Sequence, residues 1–492
     1  MEKAATRPKG CPSRRHFLKA CATLAAGAAV GGPALLGPGP ALAAPVLPAW
    51  RGTAAVSDVY VVRDVPTPAC SLADGVLPDA GRCANPATAF RDPGVETLVR
   101  LMEAGGTPFY RTAARPGGIV PGDAVVILKV NNQWGGGGGG SGLGRMATNT
   151  DLLKGMIWRI LNHPDGFSGE VVVADNAQPI SANRWDAIPA NAEDRNQTFA
   201  SVVAAFASRG YPVTLADWTA LNANLVDGGV PGPGHANGEY ATGDMDDAYI
   251  VFGETDEPTA RRLSYPKFQT PGGRYVSLRH GLWNGTEYEA DRVCLINFPV
   301  LKKHCMAGCT AAWKNLVGFV SCQNPEGRFG GWDEMHGYFW DYVPVTPSGY
   351  GLLGRVMALV RAPDLHVLDA VWVCTDNNFD SIQAIRADVV MASRDSFALD
   401  WYASEYLLRP LVPDSPQDSS AARGGIFRTA TRINQKAAKA AGGGGYSGMD
   451  LLAGYDGDAP HEAERNQLNV LVATAAAAAV VPGVSLLLDQ EA

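Results

Sequence analysis

The sequence predicts an α/β protein: a mostly parallel sheet flanked by helices, with a β-rich insertion and a loop-rich C-terminal tail. Three observations predict it. Uninterrupted apolar runs of strand length, such as Ala-Val-Val-Ile-Leu at 124–128, recur along the chain, as in a sheet covered on both faces. Between them lie segments with apolar residues at helical spacing, which begin on capping residues and stop at glycine or proline. The two kinds of segment alternate, which is the pattern of βαβ connections.

In chain order, "VSDVYVVRDV" (Val56–Val65) alternates like a strand, and "GDAVVILKVN" (Gly122–Asn131) reads as a buried one. "TNTDLLKGMIWRILNHPDGF" is a helix that Thr148, Asn149 or Thr150 can cap and that His163-Pro164 ends. "GEVVVADNAQ" is the next strand, "NQTFASVVAAFASRG" a helix stopped by Gly210, and "YPVTLADW" another strand. From about 218 to 290 the rhythm breaks into short β-like pieces separated by Gly/Asn turns, read as an insertion or lid. Alternation resumes with "RVCLINFPV", a helix opened by Gly308 or Thr310, "LLGRVMALV", "LHVLDAVWVC", "ADVVMAS" and a helix from Asp395. Residues 413–492 read as loosely structured, with "PDSPQDSSAARGG" and "AAKAAGGGG" as linkers. The α/β domain is thus expected over 44–412. The six-glycine run Gly135–Gly140 reads as a loop; no Lys-Ser/Thr follows it, so it is not a phosphate loop. The apolar tail Val470–Leu488 is alanine-rich and holds Pro-Gly, which fits a terminal strand or packed tail better than a membrane span.

Residues 1–43 read as an export signal. Arg14 and Arg15 precede Phe17-Leu18-Lys19, an Ala/Gly-rich apolar run follows, and Ala41–Ala44 offers small-residue cleavage. The paired arginines indicate the twin-arginine translocase as a partner during export, with a periplasmic or extracellular destination. The chain is formally −8, and residues 1–43 carry six basic side chains and one acidic, so the remainder is more acidic still. Such a surface repels phosphate backbones and excludes nucleic acid as the expected partner. Of nine cysteines, Cys11 and Cys21 lie in the signal, leaving an odd number. Cys70 and Cys83 flank a polar loop that a disulfide would staple.

In open α/β sheets, ligands sit beyond the carboxyl ends of the strands. Those positions collect polar residues: Lys129, Asn131 and Asn132; Asp175 and Asn176; Asn297, Lys302, Lys303 and His304; Asp369 with Asp376 and Asp380; Asp395 and Asp400. Lys302, Lys303 and Lys314 near a helix start suggest an anion site, because backbone N–H groups and ammonium charges point the same way. Lys129, Asn131, Asp175, Asn297, Lys302, Lys314 and Asn315 are the candidate binding residues. His304, set between lysines, is expected to be neutral and to serve as a base near pH 7, with Lys303, Asp369 and Asp400 as partners in proton transfer. A soft metal or redox centre would draw on Cys305 and Cys309, with Asp376, Asp380 and Asp395 as oxygen ligands. Cys-x3-Cys alone is a weak signal for this, and small buried cysteines are ordinary core residues.

Five blocks then resemble one family in order: "VVILKVNNQW", "TNTDLL", "NHPDGFSGEVVVADNAQ", "FPVLKKHCMAGCTAAWKNLVGFVS" and "LDAVWV…MASRDSFALDWYA". They are similar to the domain-of-unknown-function-362 family over roughly Val125 to Tyr402, in a branch exported by the twin-arginine route. The resemblance rests on Lys129-x-Asn131, on Pro299–His304, on Lys314-Asn315, and on Asp395, Ala398 and Asp400. It implies no assigned activity. Some members carry ferredoxin-like cysteine modules, and this chain has none. Where relatives have Glu-Gly-x-Gly-Pro, this chain has "CTDNNFD". The reading that follows is an exported enzyme acting on a small anionic metabolite by lysine binding and His/Asp proton transfer. The alternatives are a periplasmic ligand- or metal-binding protein and a redox accessory protein using Cys305 and Cys309.

Overall fold

The computed structural model describes residues 45–67, 89–132, 146–176, 184–187, 192, 197–229, 247–253, 262–304, 307–321, 351–375, 384–412, 426–441, 446–451 and 459–475. The signal segment 1–43, Cys70, Cys83, the glycine run, Cys305, Cys322, Asp376, Asp380 and the end of the apolar tail lie outside them.

Eleven strands form the main sheet: β1 (Trp50–Arg51), β2 (Ser57–Arg63), β3 (Val125–Val130), β4 (Glu170–Asp175), β5 (Val213–Asp217), β6 (Val293–Phe298), β7 (Val300–His304), β8 (Gly308–Thr310), β9 (Leu365–Cys374), β10 (Ala384–Ser393) and β11 (Leu468–Thr474). Their order is β1-β11-β2-β10-β9-β6-β3-β4-β5, with β7 paired to β9 and β8. The run from β9 through β6, β3 and β4 to β5 is parallel. The other half is not: β10 is antiparallel to both β9 and β2, and β1 to β11. The sheet is therefore mixed, and the expectation of a mostly parallel one is corrected. The physical reason is legible at one connection. Only residues 375–383 separate β9 from β10, too few for the crossover that parallel neighbours need.

The helices that flank this sheet are α1 (Pro93–Ala104), α2 (Thr150–Leu161), α3 (Phe199–Ala207), α4 (Ala312–Asn315), α5 (Leu352–Leu359), α6 (Ser396–Tyr402), α7 (Ile426–Ala441) and α8 (Ala459–Arg465). Asn149 caps α2 by accepting from the Asp151 and Leu152 N–H groups, and Asp395 caps α6. Every residue of β3, β4 and β6 is buried. Alternation along β3 sends Val126, Leu128 and Val130 into one core and Val125 and Ile127 into another. Lys129 follows Ile127 by two and so enters the second core's side.

The described strands between 225 and 289 form a separate six-stranded sheet. Glu170 at the start of β4 ties it down, accepting from Thr270 Oγ1 at 2.7 Å and from the Gly272 N–H at 3.1 Å. Its apolar face shares the second core with Trp313, Leu316 and Phe319, so it backs the segment that follows α4.

The C-terminal residues correct a second expectation. Residues 413–492 were expected to be loose, yet 426–441 and 459–475 are built into the core. β11 runs parallel to β2 over seven register pairs, from Leu468↔Ser57 to Thr474↔Arg63. Asn434 of α7 accepts from the Leu353 and Gly354 N–H groups of α5, each at 3.1 Å. Arg428 and Glu464 form a fully buried ion pair, with Nη1 donating to Oε2 at 2.9 Å. Alanine-rich composition concealed this, because α7 packs through small residues such as Ala430 and Ala438, with Phe427 and polar contacts at Arg428 and Asn434.

Candidate functional site

The stretch 300–315 folds differently from its sequence reading. Gly308–Thr310 is a strand, not a helix start: β7 and β8 form a hairpin with Lys302↔Thr310, Lys303↔Cys309 and His304↔Gly308 opposed. Gly308 sits at φ +80°, and a Cβ there would lie 2.4 Å from the Phe427 Cβ, so the hairpin needs glycine at this corner. The helix proper is only α4. Its first N–H groups are already taken by a carboxylate of the protein: Asp400 Oδ1 accepts from Ala312 N at 2.6 Å and Oδ2 from Trp313 N at 3.0 Å. A helix-start anion site is therefore corrected; Asp400 occupies it, which serves the orphan donors of the helix start.

Two more groups hold α4. Asn297 Nδ2 donates to the Ala312 carbonyl at 2.8 Å and to His366 Nδ1 at 2.9 Å. Its Oδ1 accepts from Asn315 Nδ2, also at 2.8 Å. Lys129 Nζ donates to the Asn315 backbone carbonyl and to Asn315 Oδ1, and pairs with Asp175 Oδ1 at 2.9 Å. Asp175 Oδ2 in turn accepts from the Asn132 N–H at 2.7 Å. Asn131 Nδ2 donates to Asn315 Oδ1 at 2.7 Å, and Lys302 Nζ donates to Asn131 Oδ1 at 3.0 Å and to the Met146 carbonyl at 2.8 Å. Lys129, Asn131, Asp175, Asn297, Lys302 and Asn315 thus form one buried network at the carboxyl ends of β3, β4 and β6.

A small polar cavity opens on this network, about 20 Å³ in volume and open to solvent at its mouth. It is lined by Lys129, Asn131, Asn132, Asp175, Lys314 and Thr310, with Asn176, Asn315, Val317 and Gly318 completing the wall. Gly318 is needed for the fit, since a Cβ there would stand 2.1 Å from Asp175 Oδ1 and 2.5 Å from Lys129 Nζ. Burial lowers Lys314 from the ordinary lysine range to about 7, with Lys129 acting in the same direction and Cys309 against it. Burial also drives Lys302 well below the lysine range; Lys314 and Lys129 add to the effect, while Cys374 and Asp175 oppose it. The Thr310 hydroxyl is buried on the same wall and has no hydrogen-bond partner among the described residues.

The expected proton-transfer set is not brought together there. Lys303 lies on the opposite face of β7 from Lys302, half-buried. His304 closes the hairpin, its Nδ1 accepting from the Ala307 N–H at 3.2 Å, and does not line the cavity. Asp369 accepts from the Asn149 N–H at 2.8 Å and the Val371 N–H at 3.0 Å, so it holds the start of α2. Asp395 takes N–H groups from Phe397 and Ala398, the Ser57 and Tyr446 hydroxyls and the Met449 N–H. Its oxygens are committed to packing and are not a metal ligand's. Cys309 is buried, which raises its thiol well above the ordinary range, and Cys294 and Cys374 are buried as well. Among the described residues no three His, Cys, Asp or Glu side chains gather into a metal site. The sequence reading missed Thr310 as a cavity hydroxyl, Gly318 as a packing requirement and His366 as the partner of Asn297. Only Gly318, a glycine inside an otherwise apolar turn, carried a local signal.

The comparisons bear on the half of the site built by β7, β8 and α4. Residues 269–405 match the family model described as Domain of unknown function (DUF362). Over these residues the chain is similar to that family. The matched stretch contains Lys302, Thr310, Lys314, Asn315, Asp369 and Asp400, whereas Lys129, Asn131 and Asp175 lie before it. The three blocks between Val125 and Gln178 lie outside the matched residues. The chain is also similar to thylakoid-associated protein sll1697 of Synechocystis sp., at 29% identity over 154 residues, which is 30% of this chain and 44% of that protein. It therefore spans less than half of that relative's length. No solved structure matches the chain significantly. Among the described residues no helix is long and apolar enough to cross a membrane.

Proposed function

We propose that the cavity binds a small anionic metabolite and that Lys314 exchanges a proton with it. The observation that carries this reading is that Lys129 and Lys314 line one polar cavity at the carboxyl ends of the parallel strands, with Lys302 behind its wall, bonded to Asn131. Lys129 supplies positive potential more than a direct bond, because its ammonium already donates to two oxygens of Asn315 and is ion-paired with Asp175. Lys314 and Thr310 supply the contacts, and a lysine poised near 7 is suited to give and take a proton at neutral pH. His304 and Asp400 have no part in this chemistry; the second positions α4.

The test is calorimetric titration of the full chain with acetate and with inorganic phosphate at several pH values. A folded-state value near 7 for Lys314 means that its ammonium is lost as pH rises through 7. Affinity should then fall about tenfold per pH unit above about 7. The Lys314→Met variant should lose the pH dependence together with most of the affinity. An affinity that is level from about pH 6 to about pH 9, or no binding of either anion, would overturn the reading.

The export reading belongs here too. Support comes from "SRRHFLKA", the apolar run behind it and the small residues at 41–44. Replacing Arg14 and Arg15 together by lysine should retain the protein in the cytoplasm with residues 1–43 uncleaved. Unchanged export of that variant would refute the twin-arginine route.

A further inference from the structure

The cavity places an amine, a hydroxyl and a fixed cation around one small space, a combination that anion binding alone does not require. Lys314 lines it from α4 and Thr310 from β8, while the Lys129–Asp175 pair, 2.9 Å apart, lines it from β3 and β4. The Thr310 hydroxyl is 1% exposed and without a hydrogen-bond partner among the described residues, so its burial is uncompensated until something in the cavity meets it. A phosphate would use the cations and leave the amine's nucleophilicity idle. A ligand with both a carboxylate and a carbonyl would use all three groups.

We propose that Lys314 forms an imine with a small 2-oxo carboxylate held in this cavity. The inference rests on the anion-binding reading and narrows its ligand. In the step, the neutral Lys314 amine attacks the ketone carbon, a C–N bond forms and the carbonyl oxygen becomes the hydroxyl of a carbinolamine. That oxygen then leaves as water, carrying the two protons that the amine gives up, and a C=N bond remains. No oxidant or reductant is consumed. Thr310 Oγ1 is the donor to the oxygen that changes from carbonyl to leaving water, and the Lys129 charge holds the carboxylate.

Burial and the Lys129 charge on β3 favour a neutral, reactive amine at Lys314, while Cys309 on β8 acts the other way; the Lys314 charge acts in turn on Lys302 of β7, and Asp175 of β4 pairs with Lys129. Asp400 of α6 is spent on the backbone of Ala312 and Trp313. Desolvation together with a neighbouring cation is the arrangement that activates lysine for Schiff-base chemistry. The lowering of Lys314 to about 7 agrees with it.

The experiment incubates the full chain with pyruvate or glyoxylate, reduces with borohydride, and maps the adduct by peptide mass spectrometry, alongside calorimetry with the same acids. A single reduced adduct on Lys314, saturating at one per chain and missing from the exposed Lys436 at matched doses, is the expected result. Thr310→Val should slow its formation about tenfold or more, and Lys314→Arg should abolish it. Calorimetric binding with no adduct on Lys314 would overturn the imine and leave the anion reading standing. No binding of either acid would overturn both. Adducts spread equally over surface lysines would also overturn the proposal. Because the mapping is made on the unsubstituted chain, its outcome does not depend on any variant folding.

Discussion

Replacing Lys129 with methionine is expected to lower the unfolding free energy by about 3–5 kcal/mol, the usual cost of removing one partner of a buried ion pair. Asp175 is 4% exposed, and its Oδ1 faces the Lys129 ammonium. Methionine fills a similar volume, so the loss is electrostatic rather than a cavity effect. Lys129 also donates to two oxygens of Asn315, the residue next to Lys314. The variant should therefore bind small anions at least about tenfold more weakly than its stability loss alone would explain. Urea denaturation of the single variant, of Asp175→Leu and of the pair closes a double-mutant cycle. The double variant should recover much of the loss, since a well-packed apolar pair often matches a buried ion pair. A Lys129→Met variant within about 1 kcal/mol of the parent would show that the pair behaves as though solvated.

The second large effect is expected at Asp400, which is completely buried and receives the first two N–H groups of α4. Asp400→Ala leaves two buried donors unmet, at about 1–3 kcal/mol each. It also releases the short helix that presents Lys314 and Asn315. Burial pushes the Asp400 carboxyl up to about 8, against the pull of the two N–H groups. The folded state then holds a proton that the unfolded chain gives up from about pH 4 upward. Stability should fall as pH rises from about 4 to about 8, by at most about 1.4 kcal/mol per pH unit from this one group. Lys314 acts in the opposite sense in a higher window: its folded value near 7 lies below the unfolded lysine value, so its contribution rises with pH from about 7 to about 10.5. Asp400→Asn should flatten the acid-side slope while keeping part of the helix latch. The check is thermal unfolding of the parent and both variants from about pH 4 to about pH 8; parallel curves would refute the assignment.

These two residues show why the site was only partly legible beforehand. Asp400 and Lys129 both stood out as charged residues at the ends of apolar runs, and both are buried in the site's framework. Charge at a strand end could not tell a ligand contact from a backbone latch. The difference depends on whether a neighbouring N–H or carbonyl reaches the group first, and those partners are distant in sequence: 88 residues separate Asp400 from Ala312, and 186 separate Lys129 from Asn315. His304 was misjudged for a related reason. Its position among lysines suggested chemistry, but one hairpin directs its ring to the Ala307 N–H.

What the local sequence decides here is the set of elements and their type. Continuous apolar runs specify β3, β4 and β6 as buried strands, and Asn149 and Asp395 start their helices, because side-chain period and cap chemistry are set within a few residues. The strand-end clustering of Lys129, Asn131, Asp175, Asn297 and Lys302 follows from the same runs. The tertiary structure alone decides strand order and direction, the entry of β11 beside β2, and which charges are latches. Those outcomes depend on pairings between segments up to some four hundred residues apart, as with Leu468 and Ser57, where burial and mutual desolvation assign each polar group its partner. Lys314 is the clearest case: the sequence marks it only as one cation of an anion site, and it becomes a near-neutral amine because the fold removes water from it and sets Lys129 alongside.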